Sequence, residues 1–289
     1  RRALRGAAMR EHLLAWIVAA PAIAAAVLLF VPNSARLTVR FVSLAGAAVS
    51  LAGSVWVAML YDRAQKGLQL GDTFPVVPSL GIHLKLAVDG WGVALLLLTG
   101  LIIVTGVAAS WNVSKRDKEF FILLLVLVAG VFGVFVSQDL FVFFLFYEIA
   151  VLPMYLLIGI WGASHEVAPA GPFRLVWRRF HVGSKEYAAM KLTLMLLVGS
   201  AAILVAMFVL WAKSGARTFD LQVLEQTRFS LPVQHLVFPL CWLGFGTLAG
   251  VFPFHTWSPD GHASAPTAVS MLHAGVLMKL GAFGVMRIG

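Results

Sequence analysis

Glu148 stands where an acid is costly. It lies in "DLFVFFLFYEIAVLPMYLLIGIWG", Asp139 to Gly162, a stretch otherwise almost wholly apolar. A bilayer core about 30 Å thick is crossed by roughly 20 apolar residues in a helix, and Leu140 to Trp161 is long enough. At about 1.5 Å per residue, Glu148 sits roughly 12 Å into that helix. An ionised acid at that depth is expensive unless it is paired, hydrated or protonated. Two readings follow: a neutral acid bonded to a neighbour, or a proton or cation site. The second is the default for an ionisable residue inside a membrane. Pro153 lacks an N–H and its ring crowds the preceding turn, which disturbs the helix beside the acid.

Other titratable groups sit inside apolar runs. Lys191, in "EYAAMKLTLMLLVGS", is about one turn inside its helix. It can snorkel to the headgroups or turn inward to an acid. Lys279, in "MLHAGVLMKLGAFGVMRIG", lies too deep to snorkel easily. A buried lysine titrates more readily than an exposed one, which suits proton transfer as well as structural pairing. His255, His262 and His273 cluster around "GVFPFHTWSPDGHASAP". Histidine changes charge near neutral pH, so any of them can serve as a proton relay or as a hydrogen-bonded core residue. Their spacing matches no recognised zinc pattern. Asp139 and Asp260 are expected to cap helix N-termini.

The elements that must position these groups are membrane helices. The chain has 289 residues, 60% hydrophobic and 12% charged, against roughly a quarter charged in soluble domains. The expected fold is an all-α polytopic membrane protein with about eight transmembrane helices. The spans run from about 13 to 31, 37 to 61, 90 to 111, 120 to 136, 140 to 161, 186 to 213, from 231 into a break, and 267 to 289. The prolines and alternating pattern within Asp62 to Lys85 predict a hairpin outside the lipid. Gly244, Gly246, Gly250 and Pro253 loosen the seventh span, and backbone freed at membrane depth must face protein or water. Broken helices of this kind mark ion sites in transporters. Gly162 to Tyr187, with Arg174, Arg178, Arg179 and Lys185, is expected to lie along the headgroups. The Arg-rich opening "RRALRGAAMREH" is expected to be a solvated end.

The formal charge of +9 falls mostly in the short polar segments, where it contacts lipid headgroups, so nucleic acid is not an expected partner. One cysteine, Cys241, excludes a disulfide framework or thiolate metal cluster. The absence of CxxC, GxGxxG and Walker patterns argues that the chain carries no flavin, iron–sulfur cluster or nucleotide.

Four stretches together carry a resemblance. "FPVVPSLGIHLKLAVDGWGVALLLLTGLI", "LFYEIAVLPMYLLIGIWG", "EYAAMKLTLMLLVGSAAIL" and "PFHTWSPDGHASAPTAVSMLHAGVLMKLGAFGVMRIG" occur in this order. From about Pro75 onward the chain resembles the chain M family of the proton-pumping NADH–quinone oxidoreductase, respiratory complex I. That family is subunit four in mitochondria and belongs to the antiporter-like, Mrp-related superfamily. The resemblance implies two inverted helical repeats, each with a broken helix and a half-channel. It divides this chain into residues 1–111, the first three helices with the hairpin at 62–85, and residues 119–289, the first repeat. By position Glu148 matches the family's fifth-helix acid and Lys279 its eighth-helix lysine. Lys191 matches a sixth-helix lysine and His255 the histidine after the break.

The chain departs from the family pattern twice. The lysine expected five residues before Pro253 is Leu248, so either Lys191 or His255 is expected to take its place beside Glu148, or the subunit couples differently. The second inverted repeat that the resemblance implies is expected to be missing, as in a truncated or split subunit. The implied function is proton translocation in the membrane arm. NADH, FMN, iron–sulfur clusters and quinone would then sit in partner subunits. The implied partners are antiporter-like membrane-arm neighbours and the lipid bilayer. Ala-, Arg- and Gly-rich usage points to a bacterial inner membrane rather than a mitochondrial one. The rival implications are a multisubunit cation/proton antiporter, a membrane-bound hydrogenase subunit, or a structural scaffold that does not pump.

Overall fold

A computed structural model describes residues 12–165 and 181–288. Most of the Arg-rich opening and of the interfacial segment, including Arg174, Arg178 and Arg179, lies outside the described residues. Eight helices among the described residues are long and apolar enough to cross a membrane. The first five are α1 (Leu13–Phe30), α2 (Arg36–Leu60), α3 (Gly90–Ala109), α4 (Asp117–Val136) and α5 (Leu140–Trp161). After them come α6 (Lys185–Lys213), the short α7 (Leu221–Gln226) and α8 (Leu231–Ala249). The last span, Thr267–Ile288, is built of α10 (Thr267–Leu272), a π-helical turn (His273–Leu277) and α11 (Met278–Ile288). A half-helix, α9 (Trp257–Ser264), lies between α8 and that span.

A helix satisfies its backbone polar groups internally, which is why near-continuous apolar runs adopt it in lipid. Helix α4 is the most enclosed span: 15 of its 20 residues are buried. It packs against α5, α1, α2 and α3. The approach to α5 is close enough that a Cβ on Gly130 would stand 2.7 Å from the Ala150 nitrogen. Van der Waals packing at small residues of this kind holds helices together in lipid, where burial drives association little.

The expected hairpin is present, and its second strand runs further than predicted. Strand β1 (Gln69–Val77) pairs antiparallel with β2 (Ile82–Val88), with Thr73 opposite Lys85 and Val77 opposite Ile82. Strand β2 leads directly into α3, whose N-cap Asp89 accepts from the Gly92 N–H. Ion pairs and backbone bonds lock the hairpin to the helix ends. Lys85 Nζ lies 2.7 Å from Asp220 Oδ2 and donates to Gln222 Oε1 at 2.6 Å. The Gln138 N–H donates to the Lys85 carbonyl at 2.7 Å.

Asp139 caps α5 as expected and does more. Its carboxylate accepts from Phe141 N (3.0 Å), Val142 N (3.1 Å) and, across the hairpin, His83 N (3.0 Å). Burial pushes its pKa up, while the His83, Val142 and Phe141 amides pull it down. Asp139→Ala would orphan three donors. A lost cap alone costs about 1 kcal/mol, and each buried donor left unpaired adds about 1–3 kcal/mol. The expected result is a fall of several degrees in the unfolding temperature in detergent, with Asp139→Asn recovering most of it.

Candidate functional site

The break after α8 is built by its own residues. Gly250 takes the left-handed conformation (φ 70°) that ends a helix. The Gly250 N–H donates to the Thr247 carbonyl and the Val251 N–H to that of Gly246. The Thr247 carbonyl also accepts from Trp257 Nε1 at 2.9 Å, so the first residue of α9 satisfies an end group of α8. The far end of α9 is tied to α5 by a bond from the Ala163 N–H to the Ser264 carbonyl. The broken helix read in the sequence is therefore an α8–α9 pair joined by residues 250–256.

Lys191 faces inward. Its Nζ lies 2.7 Å from Asp260 Oδ2, joining α6 to α9 across the break. Asp260 is consequently not a cap. Thr256 occupies the N-cap position, and Asp260 sits inside the first turn with its carboxylate turned to the lysine. Both side chains keep partial access, 24% for Lys191 and 38% for Asp260.

Glu148 is half-buried on α5. One carboxylate oxygen, Oε1, is buried and has no hydrogen-bond partner. The Ser200 hydroxyl of α6 lies beside this carboxyl and bonds to the Tyr147 hydroxyl at 3.3 Å. Neither Lys191 nor His255 pairs with Glu148. Lys191 is engaged by Asp260. His255 packs on Phe252, with ring centroids 5.7 Å apart and Nδ1 unpartnered. Leu248 is fully buried in the apolar core. The position at which the family pattern has a cation is thus filled by packing.

Lys279 is partly buried rather than fully enclosed. Its Nζ donates to the Ala274 carbonyl at 3.0 Å. The π turn explains that contact. Its wider ring, in which the Met278 N–H reaches back to the His273 carbonyl, sits just ahead of the lysine. Turns of this type recur at functional sites.

Sequence reasoning missed the Asp260 partnership and the Tyr147–Ser200 contact. The signal for the second was present: a tyrosine directly before the acid, and a serine within "LVGSAAIL" of the next span.

The sequence profile of the family described as NADH:quinone oxidoreductase/Mrp antiporter, TM, matches residues 172–289. NAD(P)H-quinone oxidoreductase chain 4 1 of Picosynechococcus sp. is 36% identical over 272 residues, covering 94% of this chain and 47% of that protein. The chain thus spans about half the length of the curated relatives it matches. Two solved assemblies share its fold. A chain of the membrane-bound sulfane sulfur reductase, an archaeal respiratory membrane complex, superposes with a TM-score of 0.74 at 20% identity, over 94% of this chain and 40% of that one. A chain of respiratory complex I from Thermus thermophilus with bound NADH superposes with a TM-score of 0.73 at 24% identity, over 96% of this chain and 52% of that one.

Proposed function

The chain belongs to the NADH:quinone oxidoreductase/Mrp antiporter family of membrane subunits, and on that premise we propose that it translocates protons in the membrane arm of an NADH:quinone oxidoreductase. It is a multi-pass membrane protein, and the bacterial inner membrane is its proposed location. Residues 119–289 form the proposed translocating repeat. NADH, FMN, iron–sulfur clusters and quinone are proposed to reside in partner subunits. Quinone reduction there changes the charge or hydration around this bundle and drives proton uptake and release within it.

The observation that carries the reading is the Glu148 carboxylate: halfway along a span, half-buried, with one oxygen unpartnered. A residue of purely structural use at that depth is expected to have its polar atoms paired. A proton carrier needs an oxygen that is free to take a proton. The Lys191–Asp260 pair supplies a second titratable station on the broken helix.

The test is to purify the assembly from its native membrane, identify the co-purifying chains and reconstitute it in liposomes. The expected result is co-purification with redox subunits, and uncoupler-sensitive proton movement driven by NADH and quinone. Co-purification with antiporter subunits alone, or quinone reduction without proton movement, would overturn the proposal.

A further inference from the structure

A slot on the outside of the bundle is bounded by the hairpin at one end and charged at the other. It lies between α1, α4 and α5, has a volume of about 530 Å³, and every side chain lining it is apolar. Its wall on α1 includes Ala15, Ala19, Ala22 and Ala26, which fall on one face of the helix. The larger residues Leu14, Ile17 and Leu28 of that helix are buried on the bundle instead. Methyl groups therefore stand where longer side chains would have filled the space towards α4. Across from them are Ile122 and Val126 of α4, one turn apart. Leu84 and Leu86 of β2 line the end nearest the hairpin.

Shape selects the occupant. From Ala15 to Leu29 the lining extends about 21 Å along α1, at about 1.5 Å per residue. A helix about 10 Å across takes up roughly 120 Å³ per residue, so 530 Å³ holds little more than one of its turns. A neighbouring helix is too thick to enter along that length. A chain of methylenes, with walls about 4 Å from its carbons, is slender enough.

Charge selects the rest of it. Lys118 is one turn before Ile122 on α4, and its Nζ donates to the carbonyls of Leu29 (2.9 Å) and Val31 (2.8 Å). An ammonium has three donors, so one remains, and both partners are neutral. Among the described residues no carboxylate pairs with Lys118: Glu119 is taken by Arg116, and Asp117 faces Arg36, whose Nε is 4.0 Å from its Oδ2. Arg36 is itself 57% exposed at the start of α2. The mouth of the slot thus holds two cations, Lys118 and Arg36, for the one acid Asp117, at the level where lipid phosphates lie.

We propose that this slot binds an anionic phospholipid, with one acyl chain along α1 and the phosphate on Lys118 and Arg36. The inference goes beyond the transport reading and does not rest on it. The bilayer core is about 30 Å thick, so a chain filling the slot passes the midplane and is held to protein over most of its length. It completes the packing of α1 on α4 and α5 where the alanines leave it open.

The test reconstitutes the purified assembly in phosphatidylcholine nanodiscs with a trace of phosphatidylglycerol that carries a photoactivatable diazirine midway along one acyl chain. The complex is at rest, so the result is the same whether or not it pumps. The expected result is a severalfold excess of label on the peptides holding Ala22, Ala26, Ile122 and Val126 over the α2 peptide with the exposed Val49 and Met59. Ala22→Phe with Ala26→Phe fills the slot and is expected to remove the excess. Lys118→Gln is expected to lower the preference for this probe over its phosphatidylcholine counterpart about fivefold, the size of one basic residue at an anionic surface. Even labelling of α1 and α2 in the native protein overturns the proposal, and this reading needs no variant to fold. Equal labelling by the phosphatidylcholine probe overturns it too, and so does an unchanged preference in Lys118→Gln. Cross-linking of Ala22→Cys to a neighbouring chain of the assembly places protein over the slot and overturns it as well.

Discussion

Glu148→Gln is expected to leave the subunit folded and assembled and to abolish proton movement through it. Glutamine keeps the shape of the side chain. The buried Oε1 has no hydrogen-bond partner, so exchanging the acid for an amide breaks no bond at that atom. The stability change is therefore expected to stay within about 1 kcal/mol. Function is another matter, because an amide neither takes nor gives a proton in this range. Moving one proton against about 100 mV takes about 2.3 kcal/mol. A hundredfold swing in proton affinity, about 2.7 kcal/mol, meets that demand, and an amide offers no such swing. A pH-sensitive dye inside liposomes, read beside the rate of quinone reduction, measures the ratio directly. Glu148→Asp, which keeps a carboxylate on a shorter stem, is expected to retain a measurable part of the ratio. A native ratio in the glutamine variant removes Glu148 from the pathway.

The spans were legible because lipid imposes one rule on them. Each of the eight runs had to be about 20 apolar residues long, and a helix is the conformation that satisfies their backbone. The ends found by sequence reading differ from those in the structure by only a few residues: α4 starts at Asp117 rather than Phe120, and β2 continues to Val88. The hairpin was legible for the same kind of reason, since prolines and alternation outside an apolar run leave few alternatives. The break after α8 was marked by Gly250 and Pro253. The pairing of charged groups across it was not marked. Lys191 and Asp260 are 69 residues apart in sequence, and no local rule connects them. Asp260 stands near a helix start, which is where a capping acid belongs, and only the packing of α9 on α6 turns its carboxylate to the lysine. The burial of His273 was hidden likewise, because it comes from the faces of Trp257 and His262 on another element.

The Lys191–Asp260 pair yields the second large effect, and its interest lies in a contrast between stability and function. The two side chains are 24% and 38% exposed, so solvent screens much of their attraction, and the pair contributes at most about 1 kcal/mol to folding. Lys191→Met and Asp260→Asn are accordingly expected to shift the unfolding temperature only slightly. Each leaves its partner without a counter-charge beside the broken helix, on the proposed proton path. Each single change is therefore expected to reduce protons moved per quinone about as strongly as the other, and the double variant Lys191→Met/Asp260→Asn no further than either alone. Two groups that act as one unit are non-additive in this way, and the double-mutant cycle measures the coupling. Exchanging them, Lys191→Asp with Asp260→Lys, restores the ion pair with reversed polarity. Recovery of pumping in the exchanged protein marks the pair as an attraction that holds the half-helix in place. Continued loss, with the fold intact, marks the lysine on α6 as a station that must itself carry the proton, which is the outcome expected if α9 is already held by the Trp257–Thr247 and Ala163–Ser264 bonds. Losses that simply add would show two independent groups, and the 2.7 Å contact would then have no part in transport.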